Sequence, residues 1–324
     1  MSVTFSGAFT FSGGGFTATL APPATPTATA GWYGGGYLPG SIYYSTVDRI
    51  TYATDTATAS IRGPLSSGRD RLAATGNTTN GWYAGGKTPA TVSTVDRITY
   101  ATDTAIASVR GPLSLAKYSL SATGNTTDGW FGAGFIPGTG NISTVDRITY
   151  ATDTATASVR GPLSLARNGL TATGNTTDGW FGGGYSSSGP RSTVDRITYA
   201  TDTATASVRG PLSSARYKMA ATGNTTDGWF GGGNTGSVST VDRITYATDT
   251  ATASVRGPLS SARYSLAATG NTTDGWFGGG YSSSSPGPRS TVDRITYATD
   301  TVTATARGPL SSARTYLAAS SGIQ

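Results

Sequence analysis

Gly275-Trp276-Phe277-Gly278-Gly279-Gly280 is the last occurrence of a pattern that runs through the whole chain: a glycine, a tryptophan, Tyr or Phe, then a glycine-rich triplet. The six tryptophans stand at 32, 82, 130, 180, 229 and 276, in steps of 47 to 50 residues, and there are no others. A near-fixed period of this length is the mark of stacked supersecondary units, none of which can bury its apolar face alone.

Outward from Trp276 the unit continues as Ser290-Thr291-Val292-Asp293-Arg294-Ile295-Thr296-Tyr297, Ala298-Thr299-Asp300-Thr301, Arg307-Gly308-Pro309-Leu310 and Ser312-Ala313-Arg314, then a small apolar run. Each copy holds four short runs rich in Thr, Val, Ile, Tyr or Trp, which fit a pleated half-buried surface, separated by Gly, Pro, Asn and Asp at the turns. No apolar stripe of helix length appears. Six four-stranded units describe an all-β fold, a six-bladed β-propeller with four antiparallel strands per blade.

The strand count predicts how the ring closes. The repeat is met at Gly31, on the second strand of a blade, and the chain ends on Thr315-Tyr316-Leu317-Ala318-Ala319, which matches an innermost strand. Residues 315–320 are therefore expected to complete the blade begun at Trp32. The rival is that Phe16-Thr17-Ala18-Thr19-Leu20 fills that place.

Successive loops of an antiparallel blade emerge at alternate ends. The first connection, Gly-Asn-Thr-Thr-Asp with Asn80 once in place of Asp, and the third, Ala-Thr-Asp-Thr, are near-constant and share one face. The second connection varies in length and chemistry: Tyr37 to Tyr44, Lys87 to Val92, Phe135 to Ile142, Tyr185 to Arg191, Asn234 to Val238 and Tyr281 to Arg289. The inter-blade connection varies with it, so differences between copies gather on one face. Variable loops with Tyr, Ser, Gly and Asn on a rigid scaffold resemble adaptable binding surfaces. The competing reading is drift after duplication.

Residues 31–324 form the propeller. Residues 1–20 stand outside the repeat: Val3, Phe5, Phe9 and Phe11 alternate with polar residues, the period of a strand with one apolar face. Residues 21–30, Ala-Pro-Pro-Ala-Thr-Pro-Thr-Ala-Thr-Ala, read as an extended linker. A lone strand must lie on something. It is expected to anchor the protein in a partner by β-augmentation, the other reading being that it covers the propeller's own edge.

Composition excludes much chemistry. Cys and His are absent and all 17 carboxylates are aspartates, so there is no disulfide, no thiolate nucleophile and no imidazole base. No metal site, cofactor or catalytic residue is assigned, and no enzyme activity is expected. The net charge of +6 is spread over repeat positions with no basic run, and no 18-residue apolar stretch occurs, so neither nucleic acid nor a membrane span is indicated. No secretion signal is visible, which points to synthesis in a cytoplasm.

Twelve of the aspartates are the recurring pair typified by Asp293 and Asp300. Six equal copies argue for structure, with Asp300 fixing a turn and Asp293 meeting a partner on a neighbouring strand or blade; calcium is the competitor. The tryptophans are expected to pack between blades, with sugar stacking as the alternative. Arg69, Lys117, Arg167, Arg216, Arg263 and Arg314 lead into the innermost strands and are expected to ring the axis on the variable face, where they would either capture an acidic ligand or pair with aspartates and carbonyls. In the first case, changing Arg216, Arg263 and Arg314 to Ala would weaken binding and spare the fold. Tyr37, Tyr118, Phe135, Tyr185, Tyr217, Tyr264, Tyr281 and Tyr316 supply aromatic contact area on that face.

The paired glycines after an aromatic strand, the Asp-Arg-Ile-Thr-Tyr-x-x-Asp-Thr segment and the Pro-Leu-x-x-x-Arg lead resemble kelch repeats over residues 31–324. One feature departs: kelch repeats carry a Trp shortly after Asp-Thr, and here that region is Thr-Ala-Ser-Val, so packing there must use smaller side chains. A uniform kelch-like array with these motifs is similar to repeats in virion proteins of tailed, especially marine, phages. That resemblance implies a structural appendage of tail, fibre or capsid surface, made in the host cytoplasm and present in several copies. It would dock on other virion subunits by its N-terminal arm and meet a host-surface glycan or receptor with the variable face. A bacterial surface adhesin or a protein-interaction propeller is the first alternative and a glycan-processing enzyme the second, which would need unique polar residues that break the repeat.

Overall fold

The computed structural model describes residues 28–322. The expected arm, with Val3, Phe5, Phe9 and Phe11, most of the linker and the rival closing segment Phe16–Leu20 lie outside the described residues.

The described chain is a ring of six four-stranded antiparallel sheets. In one blade the order from axis to rim is Ala73–Gly76, Asn80–Ala84, Val95–Thr99 and Ser108–Arg110. The composite blade is Ala318–Ser321, Ala30–Gly34, Val47–Thr51 and Ser60–Arg62, which joins the two ends of the chain in one sheet. Its register pairs Trp32 with Ser320 and Gly34 with Ala318. The C-terminal strand therefore closes the ring. Blades are counted below from this composite one.

The core lies between blades. Each of six apolar clusters draws on two neighbours, as where Tyr33, Ile50 and Tyr52 of the first blade meet Trp276, Val292 and Ala267 of the sixth. The Tyr and Asp of each Tyr-Ala-Thr-Asp segment act together on the preceding blade's tryptophan. Tyr150 stacks on Trp82 with ring centroids 3.8 Å apart, while Asp153 accepts the indole N–H at 2.9 Å. Arg97 and Arg110, from the blade that holds Trp82, converge on the same Asp153 oxygen at 3.1 and 3.6 Å. Burial pushes the stacked phenols up, and Tyr52, Tyr246 and Tyr297 use their hydroxyls on threonines of another blade. The tryptophans are thus packing residues and the six Asp300-type carboxylates are latches between blades. After the Asp-Thr turn only an alanine such as Ala59 or Ala107 is buried, in keeping with small side chains there.

Backbone close approach explains the Arg-Gly-Pro glycines. A Cβ on Gly63 would lie 1.9 Å from the carbonyl oxygen of Ala105 in the next blade, a position no side chain can share.

Candidate functional site

The near-constant and variable connections emerge on opposite faces. Three second connections are small hairpins, among them Tyr185–Ser186 with Gly189–Pro190 and Tyr281–Ser282 with Gly287–Pro288. In the third blade the hairpin continues two long strands, Asp128–Ile136 and Gly140–Thr149, past a bulge at Ala133. The strand Ala30–Gly34 begins on the near-constant face and Ala318–Ser321 ends there, so both ends of the described chain lie opposite the variable loops.

The six cations expected to ring the axis are not available to a ligand. Arg69, Lys117, Arg167, Arg216, Arg263 and Arg314 are all fully buried. Each is paired with an Asp293-type carboxylate of the blade it leads into: Asp96, Asp146, Asp195, Asp242, Asp293 and Asp48, at 2.8 to 3.2 Å. All six also donate to the backbone carbonyl of the residue after the tryptophan, as Arg314 does to Tyr33 at 3.0 Å. Burial outweighs the paired carboxylate and draws the cations below their ordinary values. These are internal struts, and the ligand-capturing reading of them is corrected. A long side chain bound for a carboxylate two strands away must run through the sheet interior, which spacing alone does not reveal.

Two positions further along stands a second ring, which does face the axis. Arg71, Ser119, Gly169, Lys218, Ser265 and Tyr316 are equivalent, one per blade, and all have φ between 54° and 61°. Each donates its backbone N–H to the carbonyl of the preceding member, Arg71 to Tyr316 at 2.9 Å and so on round to Tyr316 to Ser265 at 2.8 Å, a closed cycle of six hydrogen bonds. Beneath it a layer of Leu72, Leu120, Leu170, Met219, Leu266 and Leu317 floors the mouth. The left-handed backbone costs a non-glycine residue about 1 kcal/mol or more. The cyclic bonding offsets that cost and leaves each side chain free to differ.

Here the repeat symmetry breaks. Arg71 and Lys218 lie three steps apart in the cycle, on opposite sides of the mouth, and Tyr316 reaches between them. The Arg71 guanidinium is 4.5 Å and the Lys218 ammonium 5.2 Å from the Tyr316 ring centre. Lys218 also faces Tyr217 and Tyr264 at 5.2 and 5.6 Å, and Arg71 faces Tyr118 at 5.6 Å. The expected aromatics do gather on this face: Tyr118 with Phe135, Tyr185 with Tyr217, Tyr264 with Tyr281, and Tyr37 against Tyr43. The carboxylate that belongs to neither repeat set nor first turn, Asp70, is almost wholly buried next to Arg71, 3.8 Å away, and one of its oxygens has no hydrogen-bond partner. Burial pushes it up to about 6, against the pull of Arg71 and Lys87.

Charge pairing marks the same face. All 17 aspartates take part in ion pairs; among them Asp128, Asp178, Asp227 and Asp274 meet arginines on the near-constant face. Of the 23 cations, Lys87, Arg191, Lys218 and Arg289 alone have no carboxylate within ion-pair distance among the described residues. All four lie on the variable face. The excess positive charge is therefore more local than the even spacing of arginine in the sequence implies. Among the described residues no three carboxylates cluster as a metal site would need. No protein-family model and no curated protein matches the chain.

Proposed function

We propose that this chain is a non-enzymatic, kelch-like attachment propeller of a tailed-phage particle, anchored through its N-terminal arm and binding an acidic surface glycan with its variable face. The observation that carries the reading is the placement of the unpaired cations. Every repeat-position arginine is paired with a carboxylate, whereas Lys87, Arg191, Lys218 and Arg289 have none among the described residues and stand on the loop face, Lys218 beside tyrosines. Half-buried cations without carboxylate partners, on a face that also gathers aromatic rings, suit a polyanionic saccharide, which takes charge pairing from the one and stacking from the other. The first described strand begins at Ala30 on the opposite face, so anchoring through the segment that precedes it would leave the loops free. The phage placement itself rests on the resemblance of the repeats.

The test is retention of the full chain on immobilised acidic and neutral polysaccharides. Acidic polymers should hold it, salt should release it, and the triple variant Lys87→Ser, Arg191→Ser, Arg289→Ser should bind several-fold more weakly while keeping a cooperative melting transition. Equal retention on both polymer classes would overturn the binding reading. Incorporation into particles of a chain lacking residues 1–20 would overturn the anchoring one.

A further inference from the structure

We propose that the axial mouth of the variable face binds one compact oxyanion, the carboxylate or phosphate group of a surface saccharide, beside the Tyr316 hydroxyl, where the Arg71 guanidinium and the Lys218 ammonium converge. This rests on the binding reading above and names the ligand group and its seat. Four observations converge on it. The two cations are the only charged members of a six-membered ring whose other four are Ser119, Gly169, Ser265 and Tyr316. They converge on one object, the Tyr316 phenol. The mouth is a shallow cavity closed below by Leu and Met side chains and open to solvent above, so an anionic group can enter it from outside. The saccharide itself would lie outside, against Tyr217 and Tyr264, which flank Lys218.

The phenol reports on the field at this spot. Burial opposes its ionisation, yet Lys218 and Arg71, with Ser265, outweigh burial and leave Tyr316 below its ordinary value. A place that favours negative charge on a half-buried phenol favours it more on an oxyanion, which accepts charge-assisted bonds from both cations at once. Arg71 has only Asp70, at 3.8 Å, as carboxylate partner and Lys218 has none among the described residues, so both keep donors for a ligand. The backbone N–H groups of the ring are spent on one another and add nothing. Recognition therefore lies with the two side chains.

The test uses the full chain and three probes, sodium glucuronate, inorganic phosphate and glucose, titrated calorimetrically at low salt. At least one anion should bind and glucose should not; glucuronate alone identifies an acidic sugar as the source, phosphate alone a phosphorylated one. The double variant Arg71→Ser, Lys218→Ser should weaken binding by about tenfold or more. Serine occupies the equivalent ring positions at Ser119 and Ser265 with φ of 55°, so the backbone tolerates it. As an independent measure, the ultraviolet titration of Tyr316, identified by difference from Tyr316→Phe, should move to higher pH when the anion is bound. Binding of neither anion, or binding unchanged in the double variant, overturns the proposal. If polysaccharide retention persists in that double variant and is lost in the Lys87, Arg191, Arg289 variant, the mouth is not the seat and the attachment reading still stands.

Discussion

Trp276 of the sixth blade donates its indole N–H to Asp55 of the first at 2.8 Å, across 221 residues of chain. The same oxygen draws Arg294 at 3.2 Å and Arg307 at 3.3 Å. An identical arrangement joins Trp130, Arg147 and Arg160 to Asp202 in the interior of the chain, at 2.8, 3.1 and 3.4 Å. The junction next to the composite blade is thus locked by the same chemistry as a covalently continuous one.

Removing a latch carboxylate strands one indole N–H and two guanidinium groups. Asp55→Ala should cost about 3 kcal/mol, the range for an uncompensated, largely buried donor set. Asp202→Ala should cost the same within about 0.5 kcal/mol, because the two sites are too far apart and too alike to differ. Denaturant unfolding of both variants gives the comparison, and a clearly larger loss at Asp55 would mark the closing junction as specially dependent on its latch.

The internal struts differ in kind. Arg314 and Asp48 are both fully buried, 3.1 Å apart, and Arg314→Ala leaves the carboxylate alone in the sheet interior. The expected loss is about 3–5 kcal/mol, insensitive to salt. Adding Asp48→Leu to Arg314→Leu should recover part of it; the remainder reflects Ser311 N–H and the Tyr33 carbonyl, which lose their partners. A single alanine variant as stable as the parent would refute the strut assignment.

The period of the tryptophans and the Gly, Pro and Asn turns made the number of blades, their strand order and the closing strand legible, because each of these follows from local pattern and from counting. The two recurring carboxylate sets were legible as structural and their partners were not. Asp103 meets Trp32, Arg49 and Arg62 of the preceding blade, at contacts that depend on the angle between sheets and on no spacing along one strand. The same limit explains the misplaced cation ring. Arg69 and Arg71 are two residues apart, one buried against Asp96 and the other at the axis, and only the left-handed turn at Arg71 separates their fates. The signal that was available is the contrast between six near-identical cations at the first position and five residue types among six copies at the second.

Ser320 ties three blades together, which makes closure testable. Its backbone pairs with Trp32, its carbonyl accepts from Thr269 at 3.2 Å and its hydroxyl meets the Tyr83 hydroxyl at 2.9 Å. Deleting residues 317–324 keeps the Arg314 strut and removes only this strand. The melting temperature should fall by about 10 °C or more, and the amides of the Trp32 strand should lose protection against hydrogen exchange. Retained protection there would mean that another segment takes the strand's place.

Asp70 sets the pH dependence that is peculiar to one blade. Its folded value of about 6, raised by burial against the attraction of Arg71 and Lys87, stands above the ordinary carboxylate value of about 3.9. As pH rises from about 4 to about 6 the unfolded chain gives up this proton first, so it binds fewer protons than the folded one and stability falls over that window, then levels off. The full difference of about two pH units corresponds to about 3 kcal/mol at most. Asparagine already fills the equivalent position at Asn168, with the same backbone pairing to its loop partner. Asp70→Asn should therefore fold normally, match the parent near pH 4 and exceed it by about 2–3 kcal/mol at pH 7.5. Unfolding the two proteins in parallel at both pH values isolates this one group, since every other carboxylate is common to both. Parallel profiles, with the same gap at pH 4 and pH 7.5, would show that Asp70 does not carry an elevated value in the folded state.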